Sequence, residues 1–135
     1  MEKLLQKFQV FYRENSESWL GRFEYKESAQ QLLLMAFLQR VVNSGGEVTR
    51  EMALGNGRLD ILVTHQTQQF ALELKIKRHK DTINEGKEQL SAYLDRLGLK
   101  EGYLIAFDPT PGEWAEKIYY QEITYNDKKI FMVGL

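Results

Sequence analysis

Near the start of the chain, Leu4, Leu5, Phe8, Phe11 and Tyr12 recur at helical spacing. They predict an amphipathic helix over residues 2–19 with one buried stripe, which Gly21 helps to end. Residues 27–42 hold "QLLLMAFLQRVV", apolar around most of a helical circumference, and predict the central and most buried helix. "NSGG" stops it. "GEVTREMAL" then reads as a strand and "GNG" as a turn. "RLDILVT" reads as a second strand whose core face is Leu59, Ile61 and Val63. After the polar turn "HQTQQ", "FALELKIK" alternates with period two. Phe70, Leu72, Leu74 and Ile76 share one face, and Ala71, Glu73, Lys75 and Lys77 the other.

"TINEGKEQLSAYLDRLG" predicts a helix with Thr82 at the N-cap, Glu85 completing a capping box and Gly98 as the C-terminal stop. "EGYLIAFDP" is a continuous apolar strand, the pattern of burial on both faces. "KIYYQEITY" and "KKIFMVGL", joined by Asn126-Asp127, close the chain as a hairpin. A helix crossover between the third and fourth strands implies parallel pairing or close neighbours there. The expected class is α/β, with helices packed on a central mixed sheet.

At 135 residues the chain fits one compact domain, and hydrophobic and charged fractions of 43% and 27% are those of a folded globular protein. No apolar run approaches the roughly 18 residues of a membrane helix, and the first residues carry no signal-peptide core. A cytoplasmic location without membrane partners is therefore expected. The absence of cysteine removes thiolate chemistry and cysteine-held zinc, and two histidines, His65 and His79, are too few for a histidine cage. Any metal here would be held by oxygen. A net charge of −1 excludes a globally basic nucleic-acid coat, although Lys75, Lys77, Arg78, His79 and Lys80 form a local basic run.

Charge interrupts the strand pattern at Asp60, Glu73 and Lys75. Asp60 and Glu73 lie on strands joined by a short turn, each opposite the core-facing set of its own strand. Lys75 projects from the Glu73 face about 6.6 Å further along. Two carboxylates that close repel unless a cation lies between them. Magnesium, taking one or two carboxylates with water and phosphate oxygens, is the matching ion. Such an ion polarises a phosphodiester and activates its water, with Lys75 placed to position that water and stabilise phosphate charge. The competing reading is a pair of ordinary surface acids with a cross-strand Lys75–Asp60 pair.

"GRLDILV…FALELKIK" resembles the metal-binding core of the PD-(D/E)xK nuclease superfamily, with Asp60 as its first acid and Glu73-Leu74-Lys75 as its E-x-K. The helix-to-strand segment "EGKEQLSAYLDRLGLKEGYLIAFD" is similar to the branch found at the C-terminus of bacterial AAA-ATPase-like proteins. The resemblance runs from about Glu27 to Leu135 and implies a restriction-endonuclease-like αβββαβ core. It also implies magnesium or manganese on Asp60 and Glu73, and Lys75 assisting the attacking water. An extra N-terminal helix (residues 1–20) and the C-terminal hairpin lie outside that core. Glu27 is the candidate third metal ligand, with Glu51 its competitor; Leu59 stands where the signature has proline. Arg58, Lys77, Gln89 and Tyr93 are candidate substrate-binding or supporting residues, Tyr93 being equally a core residue. Trp19, Trp114, Tyr119 and Tyr120 could stack bases but read more simply as core or interface.

Two functions follow. One is a metal-dependent nuclease acting on nucleic acid, with DNA favoured over RNA. The other is a catalytically silent nuclease-fold module that binds nucleic acid or protein, normally attached to an AAA-ATPase-like domain. An exposed Leu4, Phe8 and Phe11 stripe would make the first helix a joint to such a partner or a homodimer surface.

Overall fold

The structure, a computed structural model, describes residues 1–20, 27–41, 46–54, 57–77, 79–110 and 112–135, with side chains at 15–20, 27–30, 41, 49–54 and 57–59 left out. Helices α1 (Glu2–Leu20) and α2 (Glu27–Val41) precede strands β1 (Gly46–Leu54), β2 (Gly57–His65) and β3 (Gln68–Ile76). Helix α3 (Thr82–Leu97), strand β4 (Glu101–Phe107), a short helix α4 (Trp114–Lys117) and strands β5 (Tyr119–Tyr125) and β6 (Lys128–Gly134) follow. From α2 to β4 the order is the αβββαβ expected, with α1 and the β5–β6 hairpin outside it. Short α4 was not foreseen.

One mixed sheet of order β1-β2-β3-β4-β6-β5 organises the fold. The hairpin neighbours pair antiparallel, whereas β3–β4 and β4–β6 pair parallel. The apolar run of β4 fits its central place: Gly102 through Phe107 are all buried. Ile61, Leu72, Leu74, Ile105 and Phe107 meet Leu5, Phe8 and Tyr12 of α1 and Leu34 and Leu38 of α2 on one face. Leu62, Ala71, Leu104 and Met132 meet Leu90, Tyr93 and Leu94 of α3 on the other. β2 therefore has two core faces and not the single face its alternation predicts.

Three further expectations are corrected. Among the described side chains α2 is not the most buried helix: Gln31, Leu34 and Leu38 face inward, while Leu32 is 51% exposed. The sheet face is shared, and α1 supplies Leu5, Phe8 and Tyr12 to it, all fully buried or nearly so. For the same reason Phe8 is no docking residue. Its ring packs against Phe11, Tyr12 and Phe37. Thr82 is not the N-cap of α3. Asp81 holds that position in αR geometry without a side-chain cap bond, and Thr82 is buried, its Oγ1 accepting the His79 N–H at 3.3 Å. A capping side chain needs extended backbone at the cap, which residue 81 lacks.

Two turns behave as their residues predict. Gly98 ends α3 at φ 71, and the Leu99 N–H reaches back to the Leu94 carbonyl at 2.9 Å, a Schellman closure. Asn126 and Asp127 both take positive φ, as a tight hairpin with matching twist requires. Among the described residues no helix is long and apolar enough to cross a membrane.

Candidate functional site

The β2–β3 register runs from His65↔Gln68 to Ile61↔Leu72, and Asp60 and Glu73 are the next residues beyond it on their strands. The turn between them is only Gln66-Thr67, with Gln66 at φ 57, shorter than the polar run suggested. Asp60 shares its face with Leu62, and Glu73 and Lys75 share theirs with Ala71. Both Leu62 and Ala71 belong to the core beneath α3. The alternation thus puts the two acids on the sheet face that α3 covers.

A side-chain bond ties Asp60 to β3. Asp60 Oδ2 accepts the Leu74 N–H at 2.7 Å, so the carboxylate is anchored on the backbone inside the Glu73-Leu74-Lys75 tripeptide. That length is typical of a bond to a charged acceptor. Glu73 is 3% exposed, and Asp60 and Lys75 are half-buried. The Lys75 stem passes beneath α3 at Gly86, where an added methyl would lie 3.1 Å from Lys75 Cγ and 2.8 Å from Leu104 Cδ1. Only a glycine at position 86 leaves that passage open.

Behind the acids, the Gln31 side chain from α2 donates Nε2–H to the Asp60 carbonyl at 3.0 Å. Gln31 was not among the sequence candidates, nor was Gly86. A glutamine in an apolar run reads as a solvent position, and a mid-helix glycine as a weak spot. The available signals were that Gln31 falls on the stripe of Leu34 and Leu38, and that Gly86 falls on the stripe of Thr82, Gln89 and Tyr93.

The remaining candidates separate. Tyr93 is buried in the α3-side core with Leu62 and Ala71, so its ring is a packing element, while Gln89, one turn earlier, is exposed. Lys77 is exposed at the carboxyl end of β3, its N–H donating to the Phe107 carbonyl at 2.8 Å. Beside it, Asp108 has its carboxyl held below the usual range. Burial pushes that group up, but bonds from the Thr110 hydroxyl and N–H, with Lys77 and Lys117, outweigh it. The side chains of Glu27, Arg58 and Glu51 fall outside the described residues. His65 pairs with Gln68 at the hairpin end, away from the acids.

Asp60 and Glu73 present hard oxygen donors, which suit magnesium or manganese, and two carboxylates are the usual protein share of such a site. Among the described residues no cluster of three acids or histidines forms.

A solved structure, that of a repair endonuclease from Pyrococcus abyssi, is similar over 70% of this chain and 43% of that one, at 23% identity and a TM-score of 0.39. The chain spans less than half the length of that protein. None of the curated proteins compared with the chain matches it. A family model described as "Domain of unknown function (DUF8371)" matches residues 6–110, and the chain belongs to that family.

Proposed function

We propose that this protein is a metal-dependent phosphodiesterase of the PD-(D/E)xK kind, acting on nucleic acid. The observation that carries the reading is the anchoring of the Asp60 carboxylate on the Leu74 N–H, beside Glu73 and one residue before Lys75. Burying a carboxylate is costly, and placing a second one alongside raises the cost by repulsion. Folds carry such costs chiefly where a function requires them. A divalent cation between the two carboxylates would offset the repulsion.

In this reading Asp60 and Glu73 would hold magnesium or manganese, which would supply electrophilic activation of the phosphodiester and of the attacking water. Lys75, whose stem passes beneath Gly86, orients the attacking water by hydrogen bonding and stabilises negative charge developing on the phosphate. Lys77, exposed at the end of the same strand, contacts neighbouring backbone phosphates, which position the substrate without reading its sequence. Arg58 is assigned the same kind of contact, and Gln89 a polar contact from α3. Tyr93 supports the site by holding α3 against β2 and β3.

Calorimetric titration of magnesium and manganese into wild type, Asp60→Asn and Lys75→Ala, with cleavage assays on single- and double-stranded DNA and RNA, tests the proposal. Wild type binds the ion and cleaves, Asp60→Asn folds but loses binding, and Lys75→Ala keeps binding while cleavage drops by about a hundredfold or more. Equal cation affinity in wild type and Asp60→Asn, or none in wild type, would overturn it.

A further inference from the structure

Among the described side chains of α2, the inward stripe is Gln31, Leu34 and Leu38, and the two leucines are fully buried. At 4% exposure Gln31 occupies a position where this helix elsewhere places leucine. A buried amide costs roughly 1–3 kcal/mol unless it is hydrogen-bonded. Gln31 Nε2 meets that requirement at the Asp60 carbonyl, 3.0 Å away. Residue 60 is therefore gripped twice, by α2 through its carbonyl and by β3 through its carboxylate at 2.7 Å from the Leu74 nitrogen. The two grips are linked. A carboxylate has only the short Cα–Cβ–Cγ stem between backbone and oxygen, so its reach to Leu74 depends on where the residue 60 backbone is held.

We infer that Gln31 is a positioning residue for Asp60, its amide setting the backbone from which the carboxylate reaches the Leu74 N–H. Its effect on cation affinity rests on the proposed function; its effect on the Asp60–Leu74 bond does not. Positional partners of metal ligands typically change affinity about 10-fold to 100-fold when removed.

The test compares Gln31→Met, which keeps length and loses the donor, with Leu34→Met, a substitution in the same stripe that touches neither grip. In metal-free protein, amide exchange at Leu74 is measured relative to Leu72 on the same strand. Gln31→Met is expected to accelerate Leu74 about tenfold or more relative to Leu72, and Leu34→Met to leave the ratio unchanged. In manganese titrations Gln31→Met weakens binding about tenfold, with Leu34→Met close to wild type. An unchanged Leu74 ratio in folded Gln31→Met, or an equal change in Leu34→Met, overturns the assignment. Should Gln31→Met not fold, Gln31→Asn, which withdraws the amide by one methylene, is read by the same exchange ratio. A wild type that binds no manganese sinks the proposed function, while the Leu74 ratio still decides the role of Gln31.

Discussion

Replacing Gly86 by alanine puts the Lys75 passage under direct test. At an open position inside a helix, glycine to alanine stabilises by about 1 kcal/mol. Here the new methyl lies 2.8 Å and 3.3 Å from the two terminal carbons of Leu104, and 3.1 Å from Lys75 Cγ. Carbon atoms in proteins essentially never approach to the first of these distances, so something must move. Leu104 is fully buried on central β4 and cannot swing into solvent. Overpacking of this kind costs about 1–3 kcal/mol, which offsets the helix gain and leaves a net loss of up to about 2 kcal/mol. For a chain of 135 residues that lowers Tm by up to about 8 °C. A double-mutant cycle then locates the clash. Lys75→Ala removes Cγ and with it one of the contacts, so the double variant is more stable than the sum of the single effects by about 0.5 kcal/mol or more. Thermal unfolding followed by circular dichroism, with chemical denaturation for the cycle, measures both quantities. A rise in Tm for Gly86→Ala, or an additive cycle, would refute the placement of the Lys75 stem beneath α3.

Two more expectations concern the frame around the site. Gln9, buried on α1, donates to the carbonyls of Tyr119 at 3.0 Å and Gly134 at 2.9 Å. Gln9→Leu strands both acceptors and lowers stability by about 1–2 kcal/mol after the gain in apolar burial, whereas Val10→Ala at the exposed neighbour leaves Tm within error; equal effects would mean that α1 is not pinned there. The Tyr103 phenol is pushed up to about 12 by burial, with Glu101 and Glu2 adding to it. The folded state thus keeps a proton that the unfolded chain releases near pH 10, so stability is insensitive to Tyr103 below about pH 10 and falls as pH rises toward 12. Phenolate absorbance against pH, with Tm recorded in parallel, should show Tyr103 ionising late; all seven tyrosines titrating together near pH 10 in folded protein would contradict its burial.

Why the acids were legible and their support was not follows from the range of the forces involved. The alternation of "FALELKIK" and the short turn before it fix which side chains of β2 and β3 share a face, because the strand period is two and the register of a hairpin is set locally. Asp60, Glu73 and Lys75 were therefore within reach of sequence reasoning. Thr82 and Glu85 match the local capping pattern equally well. The path from β3 into α3 nonetheless puts Asp81 in αR geometry and turns the Thr82 hydroxyl toward His79, so a tertiary constraint overrides the cap. The apolar circumference of α2 misled for a related reason: hydrophobicity shows that a helix is fit for burial, whereas the number of neighbours is decided by α1 sharing the same sheet face.

Gln31 is the sharper case, because its meaning depends on a carbonyl 29 residues away in sequence. Nothing within its own helix distinguishes a glutamine that faces water from one that grips another element. The same asymmetry separates the two functional readings of the chain. A silent module needs the sheet and its two cores, which Leu62, Leu104 and the Leu34–Leu38 stripe already provide. It has no use for a buried Glu73, for a carboxylate fastened to the next strand, or for an amide held behind it. Each of these polar groups occupies a position where an apolar side chain would need no partner. Their concentration around the middle of β2 and β3, and not their individual identities, is what favours chemistry over scaffolding at this site.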